Sequence, residues 1–125
     1  SFSQEPITFE NHKKWFENKL NNKHSLLLIN EYGGNPAGLI RFEVGEEYTT
    51  IGILIGENYR GKGLASDMLI KSAQFYFSKF DKPIWAFIKE SNQSSIRSFS
   101  KAGYEFLHNI VVNEIPSFVY KLQKQ

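Results

Sequence analysis

The chain has 125 residues, of which 41% are hydrophobic and 22% are charged, the usage of an ordinary folded domain. Disorder is therefore excluded, and the length predicts a single domain over residues 1–125 with a real hydrophobic core. The net charge of +2 is too small to indicate nucleic acid as a partner.

The cysteine count and the lengths of the apolar runs limit the cellular compartments in which the protein is expected. The sequence has no cysteine, which excludes disulfides, thiolate metal ligands and a cysteine nucleophile. No apolar run approaches the roughly 20 residues that cross a bilayer, and the first residues lack the layout of a signal peptide. We expect a cytoplasmic protein with no membrane partner.

The first half of the chain predicts one helix and then three strands. Thr8 is a suitable N-cap for a helix that runs to about residue 20. The apolar side chains that would share one face of this helix are Phe9, Phe16 and Leu20. Runs of strand-forming residues, separated by turn residues, predict strands over residues 25–30, 37–44 and 48–55.

The second half predicts two helices among further strands. Apolar residues recur at steps of three and four, which predicts a helix whose inner face carries Leu64, Met68, Leu69, Ala73, Tyr76 and Phe80. The elements that follow are a strand over residues 84–89, a helix capped by Ser91 or Asn92 and ended by Gly103, and strands over residues 104–112 and 117–122. This order predicts an α+β fold, a mixed and mostly antiparallel sheet flanked by helices.

The glycine-rich loop over residues 56–63 is the segment best suited to a ligand. Glycines let the backbone approach a ligand closely, and the following helix adds free N–H groups and the positive end of its dipole, which suit phosphate. A P-loop is excluded because Gly63 stands where the Mg²⁺-binding hydroxyl belongs. A dinucleotide fingerprint is excluded because Ser66 stands where its last glycine belongs.

Two motifs resemble those of the GNAT acetyltransferases. The loop reads Arg60-Gly61-Lys62-Gly63-Leu64-Ala65, and the family's pyrophosphate loop reads Gln or Arg, two residues, Gly, one residue, and Gly or Ala. Without a ligand these six residues would be only a strand-to-helix connection. At family-like spacing there follow a strand, an Asn, a short helix and the ending Lys101-Ala102-Gly103-Tyr104. The resemblance runs from about Thr8 to Leu122, and it implies a GNAT fold whose usual N-terminal strand is missing from this sequence.

The resemblance implies an acetyl-CoA site built largely from main chain. The end of the third strand would pair with the pantetheine arm, and the loop amides would hold the pyrophosphate. Lys62 is either a phosphate contact or a solvated charge, and Asn92 is either a contact to the arm or a helix N-cap. The residues implied as cofactor-binding are Ile53, Leu54, Ile55, Arg60, Gly61, Lys62, Gly63, Leu64, Ala65, Asn92 and Phe99.

The acid and base of the reaction are harder to assign. Phe99 stands where many GNAT enzymes have a tyrosine that protonates the leaving thiolate, so this role is empty or has moved; the alternative for Phe99 is core packing. The attacking amine must lose a proton, which requires a carboxylate or an ordered water. Glu43 and Glu47 are the candidate general bases. Each is otherwise a solvated hairpin charge, and Glu43 is otherwise the ion-pair partner of Arg41.

The acceptor is expected to be a primary amine of a small molecule. The segments around Trp15 and Arg41 resemble acetyltransferases of nucleotide-linked amino sugars, which makes these two residues candidate substrate contacts. His12 and Trp15 also fit an ordinary amphipathic helix. We expect direct acetyl transfer without a metal, because the three histidines show no ligand spacing.

Two other functions stay open at this stage. One is a CoA-binding module that does not catalyse, for which Phe99 is the argument. The other is an acetyltransferase of protein N-termini or lysines. A homodimer, or a fusion to a larger protein, is open as the assembly.

Overall fold

The computed structural model describes the backbone of residues 5–9, 13–20, 23–32 and 34–125, and the side chains of residues 25–31 and 34–125. Its strands are β1 (Glu5–Phe9), β2 (Lys13–Leu20), β3 (Lys23–Tyr32), β4 (Asn35–Val44), β5 (Thr49–Ile55), β6 (Ile84–Lys89), β7 (Glu105–Val112) and β8 (Ile115–Leu122). The helices are α1 (Leu64–Lys79) and α2 (Gln93–Lys101), and a short 3₁₀ turn lies at Glu57–Tyr59.

The strands form one mixed sheet in the order β1-β2-β3-β4-β5-β6-β8-β7. Neighbours are antiparallel except β5 and β6, which are parallel and are joined by the crossover helix α1. The predicted fold class, a mixed and mostly antiparallel sheet flanked by helices, is confirmed. Within the described ranges, neither helix combines the length and the hydropathy that crossing a bilayer requires.

The helix predicted from Thr8 to Leu20 is wrong, because strands β1 and β2 occupy this segment. β2 pairs with β3 along its whole length, so its backbone N–H and C=O groups bond to a neighbouring strand instead of within a helix. The segment also contains Trp15 and Phe16, and aromatic residues favour strands. Three apolar residues were too few to fix a helical period. The other predicted elements are confirmed, with small shifts at their ends.

The core lies between α1 and one face of the sheet. Side chains of β4 alternate as predicted: Ile40 and Phe42 are fully buried, whereas Arg41 and Glu43 are exposed on the opposite face. Phe42 stacks on Tyr76 of α1, with 5.0 Å between the ring centroids. The buried residues of α1 are Ser66, Met68, Leu69, Ser72, Ala73 and Tyr76.

A buried polar contact fixes the start of β5. The Thr49 hydroxyl lies 2.6 Å from the Tyr76 hydroxyl, which donates to the Lys82 carbonyl at 2.9 Å, so Thr49 is the donor in the first bond. The Thr49 backbone N–H donates to the Pro83 carbonyl at 2.9 Å. Burial raises the pKa of Tyr76, so the phenol stays protonated at neutral pH. These bonds tie β5 both to α1 and to the connection that leads into β6.

Tyr76→Phe removes the phenol and keeps the ring. The Thr49 hydroxyl and the Lys82 carbonyl would then lack their partner in a dry site, so we expect the free energy of unfolding to fall by about 1–3 kcal/mol. Urea denaturation followed by circular dichroism measures the change. Thr49→Val is the matched variant, and the double variant should lose less than the sum of the two single losses. Strictly additive losses would contradict a direct bond.

Candidate functional site

The pairing of β5 with β6 stops early. It consists of Thr49 opposite Ile84 and Thr50 opposite Trp85, and the two strands diverge beyond these positions. From Ile51 onward, no described strand bonds to this edge of β5. An unpaired strand edge presents N–H and C=O groups that a ligand can bond. The divergence therefore opens a cleft in the middle of the sheet.

The cleft is lined by the residues that the sequence motifs single out. A cavity of about 510 Å³ runs from the end of β5 over the glycine-rich loop to α2. Every residue implied as cofactor-binding lines it except Lys62, which is exposed outside the lining. A second cavity of about 300 Å³ lies between the diverging strands and shares Ile53, Asn92, Ser95 and Phe99 with the first. The shared lining joins the two cavities into one cleft.

Two glycines in the left-handed region give the loop its shape. Gly61 and Gly63 have φ of 73° and 75°, which residues with a Cβ rarely adopt. Gly63 is the N-cap of α1, and no side chain caps the first N–H groups of this helix. The Arg60 Nε atom donates to the Ile55 carbonyl at 3.1 Å, which holds the loop against the end of β5. The helix therefore presents free donors and its positive dipole end to the cleft.

The charges of the cleft suit an anion. Among its described lining residues there are the cations Arg60 and Arg97 at the loop end and Lys89 at the divergence, and there is no carboxylate. Positive charge without nearby carboxylates favours phosphate over a cationic ligand. Elsewhere in the described part of the chain, no three His, Cys, Asp or Glu side chains come together as metal ligands do.

Asn92 connects the cleft to α2. Its Oδ1 atom accepts from the Ser95 backbone N–H at 3.2 Å and from the Ser94 hydroxyl at 3.1 Å, so the predicted N-cap role is confirmed. The Asn92 amide nitrogen makes no bond to a described residue, and Asn92 lines both cavities. Its two N–H donors are therefore available to a ligand.

Sequence reasoning missed the polar face of α2. The lining residues that it did not single out on this helix are Ser94, Ser95, Arg97 and Ser98. The signal was present in the spacing, because Asn92, Ser95 and Phe99 follow each other at steps of three and four and so share one side of a helix. Small hydroxyl side chains at such steps leave room for a ligand against the helix.

Phe99 is almost fully buried, and its ring meets that of Tyr104 edge-on at 4.9 Å. The core-packing alternative for Phe99 is confirmed, although the residue also lines the cleft. The Tyr104 hydroxyl is buried with no hydrogen-bond partner among the described residues, and burial raises its pKa. Tyr104 does not line the cleft, and the Tyr76 hydroxyl is already bonded. Neither phenol therefore replaces the proton donor that Phe99 lacks.

The candidate acceptor residues lie on the face of the sheet that points away from α1. Arg41 and Glu43 form the predicted ion pair at 3.6 Å, with both side chains more than half exposed. Glu43 is opposite Thr50, the last residue of β5 that pairs with β6. Glu47 lies in the exposed turn before β5. The Trp15 side chain and the whole of His12 are outside the described residues.

The family can now be stated. The family model described as an acetyltransferase (GNAT) domain matches residues 1–105 of the chain. The chain belongs to the GNAT acetyltransferase family. The resemblance drawn from the loop and from the motif that follows it is confirmed.

Relatives from Bacillus subtilis are named acetyltransferases. The uncharacterized N-acetyltransferase YfmK is 32% identical over 92 residues, which are 73% of this chain and 62% of YfmK. The putative phosphinothricin acetyltransferase YwnH is 28% identical over 106 residues, 80% of this chain and 64% of YwnH. The chain spans less than two thirds of the length of these curated relatives.

Solved acetyltransferases share the fold. The aminoglycoside acetyltransferase AAC(6')-Ib in complex with coenzyme A and kanamycin has a TM-score of 0.71 and 20% identity, over 81% of this chain and 67% of the other. The microcin C7 self-immunity acetyltransferase MccE in complex with acetyl-CoA and AMP has a TM-score of 0.70 and 21% identity, over 80% and 61%. At these identities the likeness shows the fold.

Asn92→Ala removes the cap of α2. We expect the free energy of unfolding to fall by about 1 kcal/mol, because an N–H of the first turn loses its acceptor. Asn92→Asp is the matched control: it keeps an accepting oxygen and adds a charge that the helix dipole favours, so its stability should equal or exceed that of the wild type. Urea denaturation of the three proteins measures this. An Ala variant as stable as the wild type would contradict the cap.

Proposed function

We propose that this chain transfers the acetyl group of acetyl-CoA directly to a primary amine of a small molecule. The observation that carries the proposal is the continuous cleft, which joins a phosphate-suited loop to a free strand edge within the sheet. CoA has a pyrophosphate and a thioester at opposite ends of an extended arm, and it matches both features. Membership of the GNAT family supports the same cofactor.

In this proposal the main chain does most of the binding. The pyrophosphate lies against the backbone N–H groups of residues 61–65, and Arg97 adds charge from α2. The amides of the pantetheine arm bond to the free edge of β5 at residues 53–55, as an added strand would. The Asn92 amide donates to the arm. The thioester then lies between β5 and β6.

The chemistry requires one proton acceptor. The deprotonated amine attacks the thioester carbonyl carbon and forms the C–N bond. The tetrahedral intermediate then collapses, the C–S bond breaks, and CoA leaves as a thiolate, which takes up the second proton of the nitrogen through solvent, so that an amide and the CoA thiol are the products. Glu43, directly or through a water, takes the proton of the ammonium ion. A cysteine thiol has a pKa of about 8.5, and a thiolate of similar basicity leaves tolerably without help, so Phe99 is compatible with turnover.

The acceptor proposed first is an amino sugar carried on a nucleotide. Arg41 supplies a cation on the open face for a phosphate of such an acceptor. Proteins of this fold were solved with kanamycin and with AMP, so the fold accommodates amine-bearing and nucleotide ligands.

A non-catalytic CoA-binding module is the second candidate. The observation in its favour is that Phe99 has no proton to give and that neither Tyr104 nor Tyr76 replaces it as the donor. Such a module would bind CoA through the same loop and show no turnover. Either function fits the cytoplasmic location expected from the composition, and a homodimer or a fusion stays a prediction.

Turnover with an amine panel, together with Gly63→Asp, tests the proposal. We expect the wild type to consume acetyl-CoA with at least one class among nucleotide-linked amino sugars, aminoglycosides, polyamines and peptides. The Asp carboxylate would lie at the phosphate position and repel it. We expect CoA affinity to fall at least about tenfold, or 1.4 kcal/mol, in calorimetric titration, with turnover falling at the same CoA concentration.

Gly63→Asn is the matched control for this charge. Asn and Asp have nearly the same shape, both tolerate left-handed backbone, and no described atom lies within 4 Å of an added Cβ. The Asn variant should therefore bind CoA more tightly than the Asp variant. Equal CoA binding by wild type and folded Gly63→Asp would contradict the cofactor site. CoA binding without turnover across the panel would contradict the acetyltransferase activity and support the non-catalytic CoA-binding module.

Glu43→Gln and Glu47→Gln separate the two candidate bases. Glu43 lies beside the point where β5 and β6 diverge, whereas Glu47 lies in the turn that precedes β5. We expect Glu43→Gln to slow single-turnover acetyl transfer by about 10²-fold or more and Glu47→Gln to leave it nearly unchanged. Rapid-quench kinetics with an accepted amine and saturating acetyl-CoA measures the step. The opposite ranking would transfer the role to Glu47.

A further inference from the structure

Gly52 occupies a position of β5 that faces away from α1. Thr49 bonds to Tyr76 on the helix side, and side chains alternate along a strand, so residue 52 belongs to the opposite face. Gly52 lies directly opposite Arg41 of β4 and is exposed. It is two residues past Thr50, where the pairing with β6 ends.

No local structural reason requires glycine there. Gly52 is not among the glycines with positive φ, unlike Gly61 and Gly63. A Cβ built on Gly52 meets no atom of a described residue within 4 Å, apart from its two chain neighbours, whereas one on Gly38 would lie 2.7 Å from the Met68 Cε atom. Glycine in the interior of a strand weakens it, and residues with side chains are favoured. Glycine in a strand that needs neither an unusual φ nor close packing often marks the approach of a ligand.

The space beside Gly52 leads into the cleft. The cavity of about 300 Å³ between the diverging strands is lined by Gly52 and Phe87 at one end and by Asn92 and Phe99 at the α2 end. It therefore passes through the sheet from the open face to the cofactor side. Phe87 of β6 lines this cavity and is 37% exposed, and the Arg41–Glu43 pair lies on the same open face, on the neighbouring strand β4.

We propose that the acceptor amine reaches the thioester through the opening beside Gly52, which exists because glycine has no side chain. This inference rests on the proposed function and narrows its substrate class. An amine on an unbranched CH₂ group is slim enough to pass a residue with a Cβ. An amine borne on a ring carbon brings two further carbons to the same depth and needs the space that glycine leaves. The structure thus assigns ring-borne amines as the acceptors for which Gly52 is required.

The test uses Gly52→Ala and Gly52→Leu with a ring amine and a CH₂-borne amine that the wild type accepts. We expect Gly52→Ala to lower kcat/KM about tenfold for the ring amine and less than about threefold for the slim amine. Gly52→Leu should abolish both reactions. CoA affinity in calorimetric titration should stay within about twofold, and the melting temperature should not fall, because both substitutions favour a strand.

Ser25→Leu is the control for added bulk on the same face, since Ser25 lies on β3 opposite Glu43 and outside the cleft lining. It should leave both reactions unchanged. Three results would overturn the proposed opening at Gly52. They are an equal effect of Gly52→Ala on the two amines, no effect on either amine, and a loss of CoA affinity that parallels the loss of activity. If the wild type shows no turnover, both the proposed function and the opening at Gly52 are overturned. If the wild type is active and the Gly52 variants have unchanged activity, only the opening is overturned.

Discussion

The early end of pairing between β5 and β6 is the constraint on which the site depends. Thr49 is bonded to Tyr76 and to Pro83, and it pairs in register with the first residue of β6, so the two strands are held together at this point. Beyond Thr50 no described residue of one strand pairs with the other, and the twist of the sheet lets them diverge. Because β5 and β6 are held together at one end and are unpaired at the other, a wedge-shaped gap opens in an otherwise continuous sheet.

The glycines of this region serve different physical purposes. Gly61 and Gly63 supply left-handed backbone, which turns the loop and leaves the first N–H groups of α1 uncapped. Gly38 supplies close packing, because Met68 lies against its Cα. Gly52 does neither. It lies at the mouth of the gap, and the space that it leaves there is the reason we infer for a glycine at this position. Gly61 and Gly63 thus lie at the phosphate end of the cleft and Gly52 lies at its mouth, whereas Gly38 serves the packing of α1.

Local sequence patterns predicted the described core of the fold well where several signals agreed. In β4 the alternation of apolar and charged residues matched one buried face, and in α1 the apolar period from Leu64 to Phe80 matched the bounds of the helix to within one residue. Near Thr8 and Leu20 the signals were weak, and pairing with β3 decided the outcome instead. A strand edge that offers eight residues of backbone partners overrides a sparse helical period, because β2 pairs with β3 along its whole length and with β1 over residues 13–17.

The sequence by itself determined the loop that suits phosphate, the strand before it and the start of α2 to within one residue, because each depends on residues that are adjacent in the chain. The tertiary structure alone decided that α2 turns its serines toward that loop, that Phe99 packs on Tyr104, and that Glu43 rather than Glu47 lies beside the gap. It also decided that, among the described residues, none packs against the position of a Cβ at Gly52. These facts arise between residues that are distant in sequence, and only the register of the strands and the crossover of α1 bring them together.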